Sequence, residues 1–377
     1  MLKKFTNRNL YKSLKNSKKC YYNSKDKNRI SIKIILLLFS TAFIIIYFIF
    51  FNKNIILFNR IIKRISIKKN SVFFKQKEEI INYCKNFGIL IYNYPFDKPK
   101  PKFGNIGDYI QSLAALQFLP KNCTPKFIDR DSFQFYQGEN ITLIMNGWYI
   151  LFNGNKRIPD NISPVYLSIH INNANGLDSI AINNLKKYQP IGCRDFHTLK
   201  ALRRYGIDSY FSSCLTTTLD IDYLVNEKER TNEIIFNDYF FGYDLKIDNY
   251  IKSLKSYNLS NITHTNHLFN LKLTLFERFK MAKNLIYKYA KAKLVITTRI
   301  HGALPCLALN TPCIFVNKNF DTRLDGLYEL LNTVGINSEN QFSINVKFDK
   351  NNFVINPSKY LKYSNNLKDY LKQRISY

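Results

Sequence analysis

Arg299 and His301 stand one residue apart in Arg299-Ile300-His301-Gly302. Arg is a permanent two-pronged donor, and His carries a proton that exchanges near neutral pH. Together they suit a small anionic substrate that must gain or lose a proton. The flanking sequence says where they sit. Leu294–Thr297 is a short β-branched run, the residues after His301 favour helix, and Cys313–Val316 is a second apolar run. Strand, helix and strand in so few residues make a βαβ unit, with Pro305 tolerable only in the first helical turn. Arg299 and His301 then fall at the carboxyl end of the first strand, where open α/β sheets bind ligands and helical N–H groups favour anions.

A similar junction lies earlier in the chain. Phe87–Tyr92 reads as a buried strand, and Gly104-Asn105-Ile106-Gly107-Asp108 leads into an expected helix Asp108–Leu119. Gly104 and Gly107 allow close backbone approach, and Asp108 stands where a helix cap would. At mid-chain the strand Ile191–Cys193 delivers Arg194 and Asp195, with Asp195 capping a helix Phe196–Tyr205. Further strands are expected at Lys126–Ile128, Ile141–Met145, Val165–Ile169, Glu233–Phe236 and Asn261–Thr265. Helices are expected at Asp178–Tyr188, Asp248–Tyr257, Thr274–Lys291, Arg323–Leu331 and Pro357–Arg374, the last capped by Asn356. This alternation predicts parallel sheets covered on both faces, in two Rossmann-like α/β domains over residues 80–215 and 216–377.

The 377 residues carry a net charge of +29, unevenly placed. Residues 1–33 hold eleven Lys/Arg against one acid, and residues 52–80 eight against two. Between them, Ile34–Phe51 is uncharged for eighteen residues, which is long enough for a transmembrane signal anchor. The expected order is a basic cytoplasmic tail over 1–33, an anchor over 34–51 and a stem over 52–79, with the folded part beyond the membrane. Because the basic excess flanks an apolar segment, no nucleic-acid partner is expected. Six of the seven cysteines follow that segment without metal-ligand spacing; one to three disulfides or buried thiols both suit them. His264 and His267 lack a nearby third ligand and read as parts of a solvent loop, so no metal is expected.

Taken in order, the Gly104–Asp108 turn, Gly192–Asp195 and Arg299–Gly302 resemble the polysaccharide pyruvyl transferase family over roughly residues 85–345. The resemblance implies two Rossmann-like domains in a GT-B-like arrangement with the active site in the cleft. It also implies transfer of the enolpyruvyl group of phosphoenolpyruvate onto a glycan sugar as a cyclic ketal, without a cofactor. On that basis His301 and Asp108 are the expected catalytic residues. Arg194, Arg299, Gly302, Asn105 and Gly107 are expected to bind substrate, the N–H groups of Gly302 and Ala303 helping to hold the anion. Ile300 replaces the leucine that is frequent in the family. A membrane anchor implies a single-pass type II protein of the Golgi or secretory pathway if the source is eukaryotic. Two other functions suit the same features: a glycosyltransferase using a nucleotide sugar, and a catalytically silent carbohydrate-binding module.

Overall fold

Short β-branched and apolar runs form strands here because both of their faces are covered, and they assemble into two main sheets. In the computed structural model the described residues are 84–94, 102–120, 123–149, 157–220 and 230–375. The expected tail, anchor and stem lie outside them, as does the linking segment 221–229. Among the described residues no helix is long and apolar enough to cross a membrane.

The first sheet is parallel, in the order Lys126–Asp129, Phe87–Ile91, Ile141–Met145, Ile162–Tyr166. The second has six strands, in the order Ile262–Thr265, Ile234–Asn237, Leu294–Thr297, Cys313–Asn317, Thr333–Ile336, Phe342–Asn345. All its pairs are parallel except the last. The fold is therefore mixed α/β with parallel sheets. In both sheets the earliest strand lies second in the order, so the strand sequence reverses beside it. Clefts open at such reversals, at the carboxyl ends of the strands. These ends carry Tyr92–Tyr94 in the first sheet, and Asp238 and Arg299 in the second.

Alternation shows how the second sheet is buried. Ile235, Val295 and Phe315 join the larger core with Ala282, Ile286 and Leu304. Their neighbours Ile234, Phe236, Leu294, Ile296 and Ile314 form a second core with Ile247 and Ile251 of the helix Leu245–Lys252. A parallel sheet with two dry faces has no room for a polar stripe, which is why these strands read as continuous apolar runs.

Connections at several places join the halves. Phe103–Asn105 pairs antiparallel with Leu268–Asn270, and Ile106 N–H donates to the His267 carbonyl at 2.6 Å. Buried Arg278, in the helix Leu275–Lys291, reaches Tyr109 Oη and Asn93 Oδ1, both at 2.9 Å. The closing helix Tyr360–Arg374 returns to the first half, where the Tyr363 ring meets Phe211 edge-on at 5.0 Å.

Several expectations need correction. The first helix is Ile106–Leu116, capped by Asn105 rather than Asp108, because Asn105 Oδ1 accepts the Gly107 N–H at 3.0 Å. The Leu245–Lys252 helix starts earlier than expected, since Asp244 accepts from the N–H groups of Lys246 and Ile247. Arg323–Leu331 is not one helix but two short 3-10 turns, Thr322–Leu324 and Tyr328–Leu330, parted by Gly326 at φ +89°. Pro305 lies in the second turn of the helix Ile300–Ala308, leaving the His301 carbonyl without its i+4 donor. The final helix begins at Tyr360, and Asn356 does not cap it. Its amide instead bonds the Thr311 and Cys306 carbonyls and the Cys313 N–H. Cys84 and Cys123 form a disulfide, whereas Cys193, Cys214, Cys306 and Cys313 are free and buried.

Candidate active site

A pocket of about 260 Å³ opens between the ends of the two sheets, with Asp108, Arg194, Arg299 and His301 on its wall. Residues nearly two hundred positions apart thus line one pocket.

Asp108 is the third residue of its helix and is buried. Tyr94 donates to Oδ2 at 2.6 Å and Gln111 to Oδ1 at 3.2 Å. Burial pushes its pKa above the ordinary carboxylate value, against the opposing effects of Arg130, the Tyr94 hydrogen bond and Arg194. Asp108 is thus a stronger base than an exposed carboxylate, held in place by two donors.

His301 is the second residue of the Ile300–Ala308 helix, 6% exposed, and its Nε2 has no hydrogen-bond partner among the described residues. Burial lowers its pKa well below the usual histidine value, helped by Arg194 and His267. The expected titration near neutral pH is therefore corrected. In the free protein this imidazole is neutral at pH 7.

Arg194 follows the strand Ile191–Cys193, is 4% exposed, and its buried Nε has no partner among the described residues. Arg299 is half exposed, and its Nε bonds Asp238 Oδ2 at 3.0 Å. The same carboxylate oxygen accepts the His267 N–H at 2.9 Å. Asp238 therefore orients a cation and a loop together.

Asn105 lines the pocket, whereas Gly107 and Gly302 do not. A Cβ on Gly107 would lie 3.0 Å from both His267 Nδ1 and His301 Cβ, so this glycine lets the two loops touch. Gly302 packs against Thr297 and Asn237, where a Cβ would come within 2.7 and 2.8 Å of their side-chain oxygens. The N–H groups of Gly302 and Ala303 both donate to the Arg299 carbonyl, at 2.9 and 3.0 Å. They are engaged within the helix start, so the expectation that they hold the anion is corrected. Unpartnered N–H groups belong to the first residues of a helix, here Ile300 and His301.

His267 is a further correction. It is 1% exposed, forms part of the pocket wall, and shares a hydrogen bond of 3.0 Å between Nε2 and Tyr289 Oη. His264 is exposed on its strand, and among the described residues no group of three metal-ligating side chains occurs. Burial, then Arg299, lowers the His267 pKa from 6.5 to about 3. The unfolded chain takes up this proton near pH 6.5 and the folded one only near pH 3. The contribution to stability is therefore full above pH 6.5 and is lost as the pH falls toward 3, on the order of a few kcal/mol. Chemical denaturation from pH 7 to 4 should show His267→Gln losing less stability than the parent protein; parallel losses would refute this account.

Sequence reasoning also passed over Tyr94, Asp238, Trp148 and Arg323. Trp148 has a buried Nε1 with no partner among the described residues, and its ring faces Arg130 and Arg323, each at 5.8 Å. Arg323 is held by Asp321 through Nε and Nη2. Asp238 was within reach, since it follows a strand end just as Arg299 does. Among the described residues, Arg194 Nε, His301 Nε2 and Trp148 Nε1 are three unpartnered polar atoms of side chains that line the pocket, with guanidinium groups and a raised carboxylate in the same lining. Such a lining can bind a small multiply charged anion and move a proton beside it.

Comparison with known proteins adds the following. A family model described as polysaccharide pyruvyl transferase matches residues 105–318, more than half of the chain. No curated protein matches. Among solved structures, the chain is similar to a functionally uncharacterized protein from Klebsiella pneumoniae subsp. pneumoniae NTUH-K2044. The two are 17% identical, the match covers 71% of this chain and 98% of the other, and the TM-score is 0.42.

Proposed function

Because the chain belongs to the polysaccharide pyruvyl transferase family, we propose that it transfers pyruvate from phosphoenolpyruvate onto two hydroxyls of one glycan sugar, forming a ketal. The observation that carries this reading is that Arg194, Arg299, His301, Trp148 and Asp108 line one pocket. Phosphoenolpyruvate has a carboxylate and a phosphate for the guanidinium groups to hold. Asp108 accepts the proton of the first hydroxyl as its oxygen bonds to the central carbon. A proton is delivered to the methylene carbon, which becomes a methyl group. The second hydroxyl then bonds to the same carbon, the carbon–oxygen bond to phosphate breaks, the second proton leaves with phosphate, and Asp108 returns the first proton to solvent.

His301 supplies the proton to carbon in this scheme. It is neutral in the free pocket partly because Arg194 lies beside it. An anion on Arg194 offsets that charge and raises the histidine pKa, so donor binding itself loads the proton. The GT-B-like division at residue 215/216 belongs to the same reading, with one sheet on each side of the cleft. So does a type II orientation in the secretory pathway through Ile34–Phe51. The Cys84–Cys123 disulfide supports an oxidising compartment, and protease protection of the folded part in sealed vesicles tests the orientation. For the reaction, the full chain is incubated with phosphoenolpyruvate and glycans. Mass spectrometry should find the pyruvate ketal together with released phosphate; release of a nucleoside diphosphate from a nucleotide sugar instead would replace this function by glycosyl transfer.

A further inference from the structure

The pocket continues outward. Across Thr298, Asp321 and Leu324 it adjoins a second hollow of about 440 Å³, which in turn shares Asn317, Phe320 and Tyr328 with a third of about 230 Å³. The three form one groove along the carboxyl ends of the second sheet, and its chemistry changes along the way. The inner pocket has three arginines, Arg194, Arg299 and Arg323. Among the described residues the two outer hollows have none, and their one cation, Lys318, sits 4.2 Å over the Tyr243 ring. In its place come amides, hydroxyls, the carboxylates of Asp325 and Glu329, and aromatic rings.

Phe320 and Tyr328 stack at 5.1 Å with an interplanar angle of 29°, and Tyr328 Oη accepts the Asp321 N–H at 3.0 Å. That bond ties the aromatic platform to the residue that holds Arg323. Gly335 lines the third hollow, and its φ of +140° brings the strand so close that a Cβ would lie 1.8 Å from the Asn317 carbonyl oxygen. A polar trench with ring platforms and no arginine repels anions and suits a neutral polyol with apolar C–H faces.

We infer that the two outer hollows hold the acceptor as an extended neutral saccharide, with its reacting ring at Asp321 and further rings over Phe320 and Tyr243. The inference rests on the pyruvyl-transfer reading and adds to it the class and run of the acceptor. Acceptor length then matters: rings beyond the first add contacts to Phe320 and Tyr243 and none to the donor pocket.

The test uses the full chain and neutral hexose saccharides of one to four rings, with two readouts. Saccharide binding is followed by saturation-transfer NMR without phosphoenolpyruvate, and ketal formation by mass spectrometry with it. In Phe320→Ala and Tyr243→Ala, the KM for three- and four-ring acceptors should rise about tenfold. The KM for phosphoenolpyruvate and the turnover of one-ring acceptors should stay within about twofold, a tenfold change being about 1.4 kcal/mol. Ketal formation with long-acceptor KM unchanged in both variants overturns the groove and leaves pyruvyl transfer standing. Binding that both substitutions weaken, without ketal formation, supports the groove and overturns pyruvyl transfer. No binding by any saccharide of the panel overturns the groove.

Discussion

Replacing His301 with Gln should lower phosphoenolpyruvate-dependent phosphate release by about 100-fold or more, the usual worth of a positioned proton carrier. Gln has nearly the size of the imidazole and can keep a polar atom near Nε2, but it cannot carry a proton. The side chain is buried, and its helix start is fixed independently by the Gly302 and Ala303 N–H groups on the Arg299 carbonyl. The melting temperature should therefore move little. A second readout separates proton carriage from packing. Free His301 is neutral at pH 7 because burial, Arg194 and His267 all act against its charge. If the donor anion loads it, binding of phosphoenolpyruvate near pH 7 takes up a proton from solution. Calorimetry in buffers of different ionisation enthalpy should register that uptake in the parent protein and lose it in His301→Gln. Full activity in the variant, or unchanged proton uptake, would remove His301 from the reaction.

Arg194→Met should pull stability and activity in opposite directions. Arg194 is almost fully buried, its Nε has no partner among the described residues, and its charge is felt by the Asp108 carboxylate. A buried cation without a close counter-ion costs stability, and an apolar side chain of similar length removes that cost. The melting temperature should rise by a few degrees, on the order of 1 kcal/mol or more. The KM for phosphoenolpyruvate should rise by about 10- to 100-fold, since a hydrogen bond to a charged group contributes roughly 1.5–3 kcal/mol. Less Arg194 charge also relaxes the depression of the His301 pKa, so a shifted pH profile should accompany the loss. A variant that binds the donor as before would show that Arg194 serves the fold and not the substrate.

The strands at Ile141–Met145, Leu294–Thr297 and Cys313–Asn317 were legible in the sequence because burial on both faces leaves an unbroken apolar run. Thr274 and Asp178 were legible as helix starts because a short polar side chain stands just before a periodic segment. Asn105 and Asp108 show where that logic fails. Both are short and polar, and only the extended backbone at Asn105, φ −105° and ψ 114°, decides which of them caps. His267 could not be read locally. Thr-His-Thr-Asn-His is a polar string, and its burial comes from Gly107 and Tyr289, distant residues brought beside it by the antiparallel pair at Asn105. The three cationic and proton-carrying positions Arg194, Arg299 and His301 were recognisable as motifs. Their electrostatic state was not, because it depends on mutual proximity and depth.

The pairing of Phe103–Asn105 with Leu268–Asn270 bears on modularity. Neither half owns the site. Asp108 stands on a helix whose first N–H is accepted by a carbonyl of the other half, and His301 packs beside a glycine of the first. Halves exchanged between related chains would have to carry both edges of this seam as a matched set. Transplanting the Arg299–Gly302 loop alone would deliver His301 without Gly107, the glycine it packs beside.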